Sequence, residues 1–253
     1  MKLTILGSGT GTPMATRHPP GYLVQGEGWT MLMDCGSGTV WRLAELGHAL
    51  VDLDYIAITH THPDHIGDLL TLFHAFHLPG MARSKPLTLF GPEGIQDFLD
   101  AFVFLQTKKP QRFELQVQEN PQALTMGPLT LDSAPMVHNP NMPALGYRLS
   151  CGGQSLVYSG DADPSEALVQ LSAHADLAIY DCSTLAEGDF AGHMSAQQCG
   201  EVAQKAGVKT LILSHLYPLI HNRPDAARLP ECRAVFSGEV VLAEDRMVMV
   251  SPF

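Results

Sequence analysis

Residues 58–70 read ITHTHPDHIGDLL, which concentrates His60, His62, Asp64 and His65 within six positions directly after the apolar run YIAIT. His60 and His62 lie two apart, so on extended backbone both rings leave the same face. Pro63 suits the first turn of a helix, because its missing N–H has no intrahelical partner there. Asp64 and His65 then follow a turn and aim at an adjacent point. Imidazole nitrogens and carboxylate oxygens are ligands for divalent transition metals. Two pairs aimed at neighbouring points suit two ions side by side better than one. The bland alternative is an exposed polar loop; further donors elsewhere in the chain favour the metal. His138 ends DSAPMVH, Asp161 sits in YSGDAD, His193 in AGHMS, and His215 closes TLILSH. Three of these follow β-rich runs, and all four are placed to reach one rim of a sheet sandwich.

The elements that must deliver these donors alternate along the chain. KLTILG, YIAITH, PLTLFG, LAIYDC and TLILSH read as short, largely buried strands ending at turn or polar residues. DHIGDLLTLFHAF, GPEGIQDFLDAF and SAQQCGEVAQKAG carry helical spacing. The class is α/β. GYLVQGEGWTMLMDCGSG at 21–38 also resembles GYRLSCGGQSLVYSGDAD at 146–163. Each reads as a hairpin leading into a sharp loop. The repeat implies two similar halves, with Asp34 and Asp161 at equivalent strand ends facing a shared cleft.

Composition narrows the function. The 253 residues, 45% of them hydrophobic, bury a sizeable core without a disulfide scaffold. Cys35, Cys151, Cys182, Cys199 and Cys232 are odd in number and show no CxxC spacing, which fits free thiols in a reducing compartment. No 18-residue apolar run and no signal-peptide pattern is present, so no membrane partner and a cytoplasmic address are expected. Fifteen Lys and Arg against 26 Asp and Glu give a formal charge of −11, which disfavours long nucleic acids as partners.

At these motifs the chain resembles the metallo-β-lactamase fold hydrolases, particularly the branch of ribonuclease Z and related phosphodiesterases. LGSGTGTP and LMDCGSGT are similar to that family's glycine and acidic loops. THTHPDH is similar to its metal motif, PLTLFGPEG to its middle strand and turn, and YSGDAD, GHMS and LILSH to its later motifs. The resemblance spans nearly the whole chain. It implies one domain over 1–253, a four-layer αβ/βα sandwich with the metal site at the sheet rim. It further implies that His60, His62 and His138 bind one ion, that Asp64, His65 and His215 bind the other, and that Asp161 bridges them. The donors suit zinc, with manganese or iron as alternatives. Asp34 would support the ligands from behind.

His193 precedes SAQQCGEVAQKAG, for which Ser195 is an N-cap candidate. In the ribonuclease Z branch the corresponding histidine assists the leaving group; the bland reading is a helix-entry histidine. His74 and His77, three apart on a helix, read as cleft-flanking or surface residues. His18, His48, His174 and His221 read as surface residues, and Cys35 and Cys182 as packing groups. The resemblance implies hydrolysis by a hydroxide that bridges the ions, with Asp64 and His193 as catalytic groups. His138 and Asp161 lie only 23 positions apart, too close for the tRNA-gripping arm of long-form ribonuclease Z. A small phosphodiester is therefore the expected substrate. Arylsulfatase, lactonase or thioesterase chemistry and a metal-stabilised binding protein are the alternatives, and a homodimer is expected by resemblance alone.

Overall fold

The computed structural model describes residues 1–81, 83–188, 190–219 and 223–251; His221 lies outside the described residues. The first half carries β1 (Lys2–Gly7), β2 (Gly21–Gly26), β3 (Trp29–Met33), β4 (Tyr55–Ala57), β5 (Leu87–Gly91) and β6 (Leu115–Glu119). The second carries β7 (Leu124–Met126), β8 (Leu129–Pro135), β9 (Leu145–Cys151), β10 (Gln154–Tyr158), β11 (Leu177–Asp181), β12 (Thr210–Ser214) and β13 (Glu239–Leu242). A last strand, β14 (Val248–Val250), returns to the first sheet. One sheet runs β14-β1-β2-β3-β4-β5-β6, the other β13-β12-β11-β10-β9-β8-β7.

Period-two alternation along the strands builds the layers. Met31 and Met33 of β3, and Leu156 and Tyr158 of β10, point into an apolar layer shared by both sheets. Leu32 points the other way, into a cluster with Leu43 of α1 (Thr39–Glu45), Leu72 of α3 (Leu69–Ala75) and Ile95 of α4 (Ile95–Phe98). Val157 likewise turns toward α6 (Glu166–Leu171), α7 (Ala196–Ala206) and α8 (Arg228–Arg233). Helix, sheet, sheet and helix therefore stack as four layers, the expected αβ/βα sandwich.

Two expected helices are interrupted. DHIGDLLTLFHAF becomes α2 (Pro63–Ile66) and α3, because backbone groups at the junction pair with Cys35: the Cys35 amide donates to the His65 carbonyl (2.8 Å) and the Asp68 amide to the Cys35 carbonyl (2.9 Å). GPEGIQDFLDAF continues from α4 through a π turn at Leu99–Val103 into α5 (Phe104–Thr107). The third is intact. Ser195 and Gln198 form a reciprocal capping box at the start of α7, and Gly207, at φ 70°, ends it.

The half-repeat extends to pairing sense. In each sheet two antiparallel pairs are followed by parallel ones: β1·β2 and β2·β3, then β3·β4 and β4·β5; β8·β9 and β9·β10, then β10·β11 and β11·β12. Met33 pairs with Ala57 as Tyr158 pairs with Ile179. This register corrects one expectation: the residue equivalent to Asp34 is Ser159. Asp161 lies two positions further on, past a left-handed Gly160 (φ 59°). A Cβ at Gly160 would come within 2.8 Å of Thr59 Cβ, so only glycine fits there.

Candidate metal centre

The donors come from the same rim of both sheets. His60 and His62 follow β4, Asp64 and His65 lie on α2, His138 follows β8, Asp161 follows β10, and His215 follows β12. His60 Nε2 lies 2.9 Å from His62 Nδ1, which lies 3.0 Å from His138 Nε2. Asp161 Oδ2 stands 3.6 Å from His60 Nε2 and 3.8 Å from His138 Nε2. Its other oxygen, Oδ1, stands 3.2 Å from His65 Nε2 and 3.3 Å from His215 Nε2. Asp64 Oδ2 completes that second group, 3.5 Å from His215 Nε2 and 3.9 Å from His65 Nε2. One carboxylate thus turns an oxygen to each of two donor sets.

The histidines are held by their other nitrogens. His65 Nδ1 is 2.7 Å from Asp34 Oδ2, His138 Nδ1 is 2.9 Å from the Gly192 carbonyl, and His60 Nδ1 is 3.1 Å from Thr59 Oγ1. A Cβ at Gly192 would sit 2.5 Å from the His138 carbonyl oxygen, so this approach requires glycine. His215 Nδ1 faces Asp181 Oδ1 at 3.3 Å. Such partners fix ring orientation and leave the opposite nitrogen free for a metal. Asp34 and His215 adopt left-handed backbone (φ 53° and 55°), a sparsely populated conformation for non-glycine residues.

Three buried atoms make the fit test. Among the described residues His65 Nε2, His215 Nε2 and Asp161 Oδ1 have no hydrogen-bond partner, though such groups are costly to bury unpaired. All three point into the second donor set. Nitrogen and oxygen donors with orphaned buried atoms at the focus suit divalent cations.

Charges are strongly coupled here. Burial and the neighbouring His65 hold His60 well below the usual histidine range. Burial alone would lower His65 and His215 too, but Asp161, with Asp34 beside the first and Asp181 beside the second, outweighs it. His65 rises well above its ordinary value, and His215 is pushed up to about 10. Burial raises Asp161, yet His215 and His65 hold it well below the carboxylate range. Asp64 is also depressed: burial opposes ionisation, and the facing His215 and His65 prevail.

Residues 30–216 match the beta-lactamase superfamily domain. The chain is 31% identical over 255 residues to the probable metallo-hydrolase YhfI of Bacillus subtilis, covering 98% of this chain and 99% of that one. The chain belongs to the metallo-β-lactamase superfamily of metal-dependent hydrolases. It is also 26% identical over 272 residues to a ribonuclease Z of Mycobacterium bovis, with 97% of this chain and 96% of that one covered. The crystal structure of the YhfI metallo-β-lactamase fold protein superposes with a TM-score of 0.84 at 29% identity, over 98% of each chain.

All seven expected ligands of this superfamily member converge, and His193 lies beside them. His193 Nδ1 is 2.7 Å from Asp181 Oδ2 and 4.0 Å from Asp161 Oδ2, and its ring stacks parallel to His215 at 5.4 Å. Burial lowers its basicity, but the Asp181 hydrogen bond and charge more than compensate, leaving it raised. Asp181 was not anticipated. Burial raises it, the His193 and His215 hydrogen bonds lower it, and it stays depressed. Its only sequence signal is an acid ending the strand LAIYD, at the rim where the other donors arrive.

The remaining histidines stand apart. His74 is exposed, and His77, beyond the end of α3, meets the Lys108 carbonyl at 3.2 Å; neither lines the cleft. His48 is half-buried, and His174 is exposed as expected. His18 keeps a side chain 45% exposed, with Nδ1 3.1 Å from Asp245 Oδ2 and 2.6 Å from Arg42 Nη2. All five cysteines are free, and Cys35 and Cys182 are packed in the core.

Proposed function

We propose that this chain is a binuclear hydrolase of small phosphodiesters. The reading rests on the division of Asp161 between two complete donor sets: His60, His62 and His138 on one side, Asp64, His65 and His215 on the other. Two divalent cations there, zinc being the best match, would supply a water acidified toward neutrality and charge neutralisation for the ester oxygens. The chain's own groups then divide the remaining work. Asp64, ionised through the neutral range, orients the attacking water. His193, with Nδ1 committed to Asp181, has Nε2 to offer and stays protonated longer than an isolated imidazole, so it delivers a proton to the departing oxygen. Both halves supply donors, so we treat residues 1–253 as one catalytic unit.

A small substrate is favoured by the cleft itself, about 430 Å³, whose described lining includes His62, Asp64, Asn139, Asn141, Phe190 and Tyr217 but no Lys or Arg. A polynucleotide would bring further phosphates that this wall does not pair. The 23-position span between His138 and Asp161 is largely taken up by the β9–β10 hairpin. The free thiols support a cytoplasmic setting. Among the described residues, no helix is long and apolar enough to cross a membrane.

The test is elemental analysis combined with bis(p-nitrophenyl) phosphate hydrolysis, alongside sulfate esters and lactones. About two metals per chain and metal-dependent phosphodiester cleavage are expected, and Asp161→Ala should lose metal and hydrolysis together. Full activity with one ion or none would refute the binuclear reading. Bound metal without turnover of any ester would leave a binding protein.

A further inference from the structure

The cleft has an aromatic wall for which the hydrolytic chemistry has no use. Phe190 lies against His193 with ring centroids 4.4 Å apart and planes 30° from parallel, yet it remains 42% exposed. Tyr217 meets Phe190 edge-on at 5.2 Å and His193 at 5.9 Å. These two rings line the metal cleft and also a second hollow of about 300 Å³ beside it. That hollow is mostly apolar, walled by Leu185, Pro218 and Leu219. Among the described residues of its wall the one charged group, Glu187, is engaged by Arg223 at 2.8 Å.

The wall is anchored at its base. Arg228, wholly buried, donates to the carbonyl oxygens of Cys182 (2.9 Å), Ser183 (2.8 Å) and Tyr217 (2.7 Å), tying the starts of the two lining segments to one guanidinium. An apolar recess that shares two ring walls with a reactive centre offers a place for a substituent of the group bound there. His193 stands between the donor sets and Phe190. A group entering the hollow would therefore hang from the oxygen that His193 serves.

We propose that this hollow is the leaving-group subsite and takes a flat aromatic group, an aryl ring or a nucleobase, carried on the departing oxygen. This rests on the phosphodiesterase reading above. Ring-on-ring contact and exclusion of water from Phe190, Leu185 and Leu219 give an aromatic ester an advantage that a methyl ester lacks. Tyr217 adds an amphipathic edge.

Calorimetric titration of the zinc-loaded full chain with phenylphosphonate, methylphosphonate and adenosine 5′-monophosphate tests the subsite without turnover. Phenylphosphonate should bind about tenfold tighter than methylphosphonate. That ratio should fall toward one in Phe190→Ala and in Leu219→Ala, and survive in Phe190→Tyr. Tighter binding of the nucleotide than of phenylphosphonate identifies the aromatic group as a base, and the reverse order as an aryl ring. A ratio near one in the unsubstituted protein, or an unchanged ratio in both alanine variants, overturns the subsite. Failure of the reading beneath it shows separately, as absence of bis(p-nitrophenyl) phosphate cleavage by the same zinc-loaded sample.

Discussion

The two halves use the same strand ends with the acid and the hydroxyl exchanged. After β3, Asp34 Oδ1 accepts the Thr59 amide at 2.8 Å; at the equivalent place after β10, Ser159 Oγ accepts the Asp181 amide at 3.0 Å. In the first half the carboxylate is on β3's side and reaches the ligand His65. In the second it is on β11's side and reaches His193 and, less closely, His215. The swap separates two tasks. Under the proposed function, the carboxylate behind His65 would fix a ligand, whereas the one behind His193 would keep a proton available at the cleft. A duplicated frame has thus become asymmetric by moving one negative charge across a strand pair.

Breaking each acid in turn should expose that division. Asp181→Asn is expected to cut phosphodiester turnover by about a hundredfold or more while most of the metal is retained, because only His215 among the ligands touches it. The rate of the unsubstituted enzyme should fall as pH rises through the raised His193 value, and that limb should move to lower pH in Asp181→Asn. Asp34→Asn should instead weaken metal affinity by roughly 10- to 100-fold without moving the limb. Metal titrations and pH–rate profiles of both variants check this; identical behaviour would erase the distinction.

Proton exchange on metal uptake sharpens the same contrast at smaller amplitude. In the metal-free protein His65 and His215 are raised, so they are protonated at neutral pH and a cation must displace those protons. Cation affinity should climb from pH 6 to 9, with proton release measurable by calorimetry in buffers of different ionisation enthalpy. The sign for stability is opposite. The raised histidines stabilise the metal-free fold fully below their unfolded value near 6.5, and that contribution is lost as pH rises toward about 10. A flat affinity profile would mean that neither histidine is a ligand.

The smallest effect concerns the tyrosines that the half-repeat places in register. Tyr22 OH bonds Ser214 Oγ at 2.7 Å, beside His215, and Tyr147 OH donates to the Ile58 carbonyl at 2.7 Å, two residues before His60. Each half thus reaches across to steady the other's ligand strand. Tyr22→Phe and Tyr147→Phe should each cost about 1–2 kcal/mol in denaturant unfolding. The Tyr147 change should cost more, because it orphans a buried carbonyl.

The dense stretch at 60–65 and the strands KLTILG, PLTLFG, LAIYDC and TLILSH were legible because ligand spacing and buried apolar runs are local signals. The scattered donors His138, Asp161 and His215 were legible as strand ends, and their grouping through the family resemblance. Asp181 was not, since its role comes from a partner strand's register and from His193, twelve residues away. The short strand LQVQE at β6, whose polar residues alternate with apolar ones on half-exposed backbone, carries too weak a pattern to mark a strand. The break at Asp68 was equally hidden: its cause is backbone pairing with Cys35, far upstream in the chain.

The left-handed turn at His215 has a mechanical consequence. Immediately after it the Leu216 amide donates to the Ser8 carbonyl at 3.0 Å, and Ser8 is itself moored through its own amide to Asp245. The glycine-rich segment GSGTGTP is therefore tethered to a ligand-bearing backbone rather than draped loosely beside it. Displacing that segment would tilt an imidazole, so substitutions far from any donor atom can detune the centre through this single link.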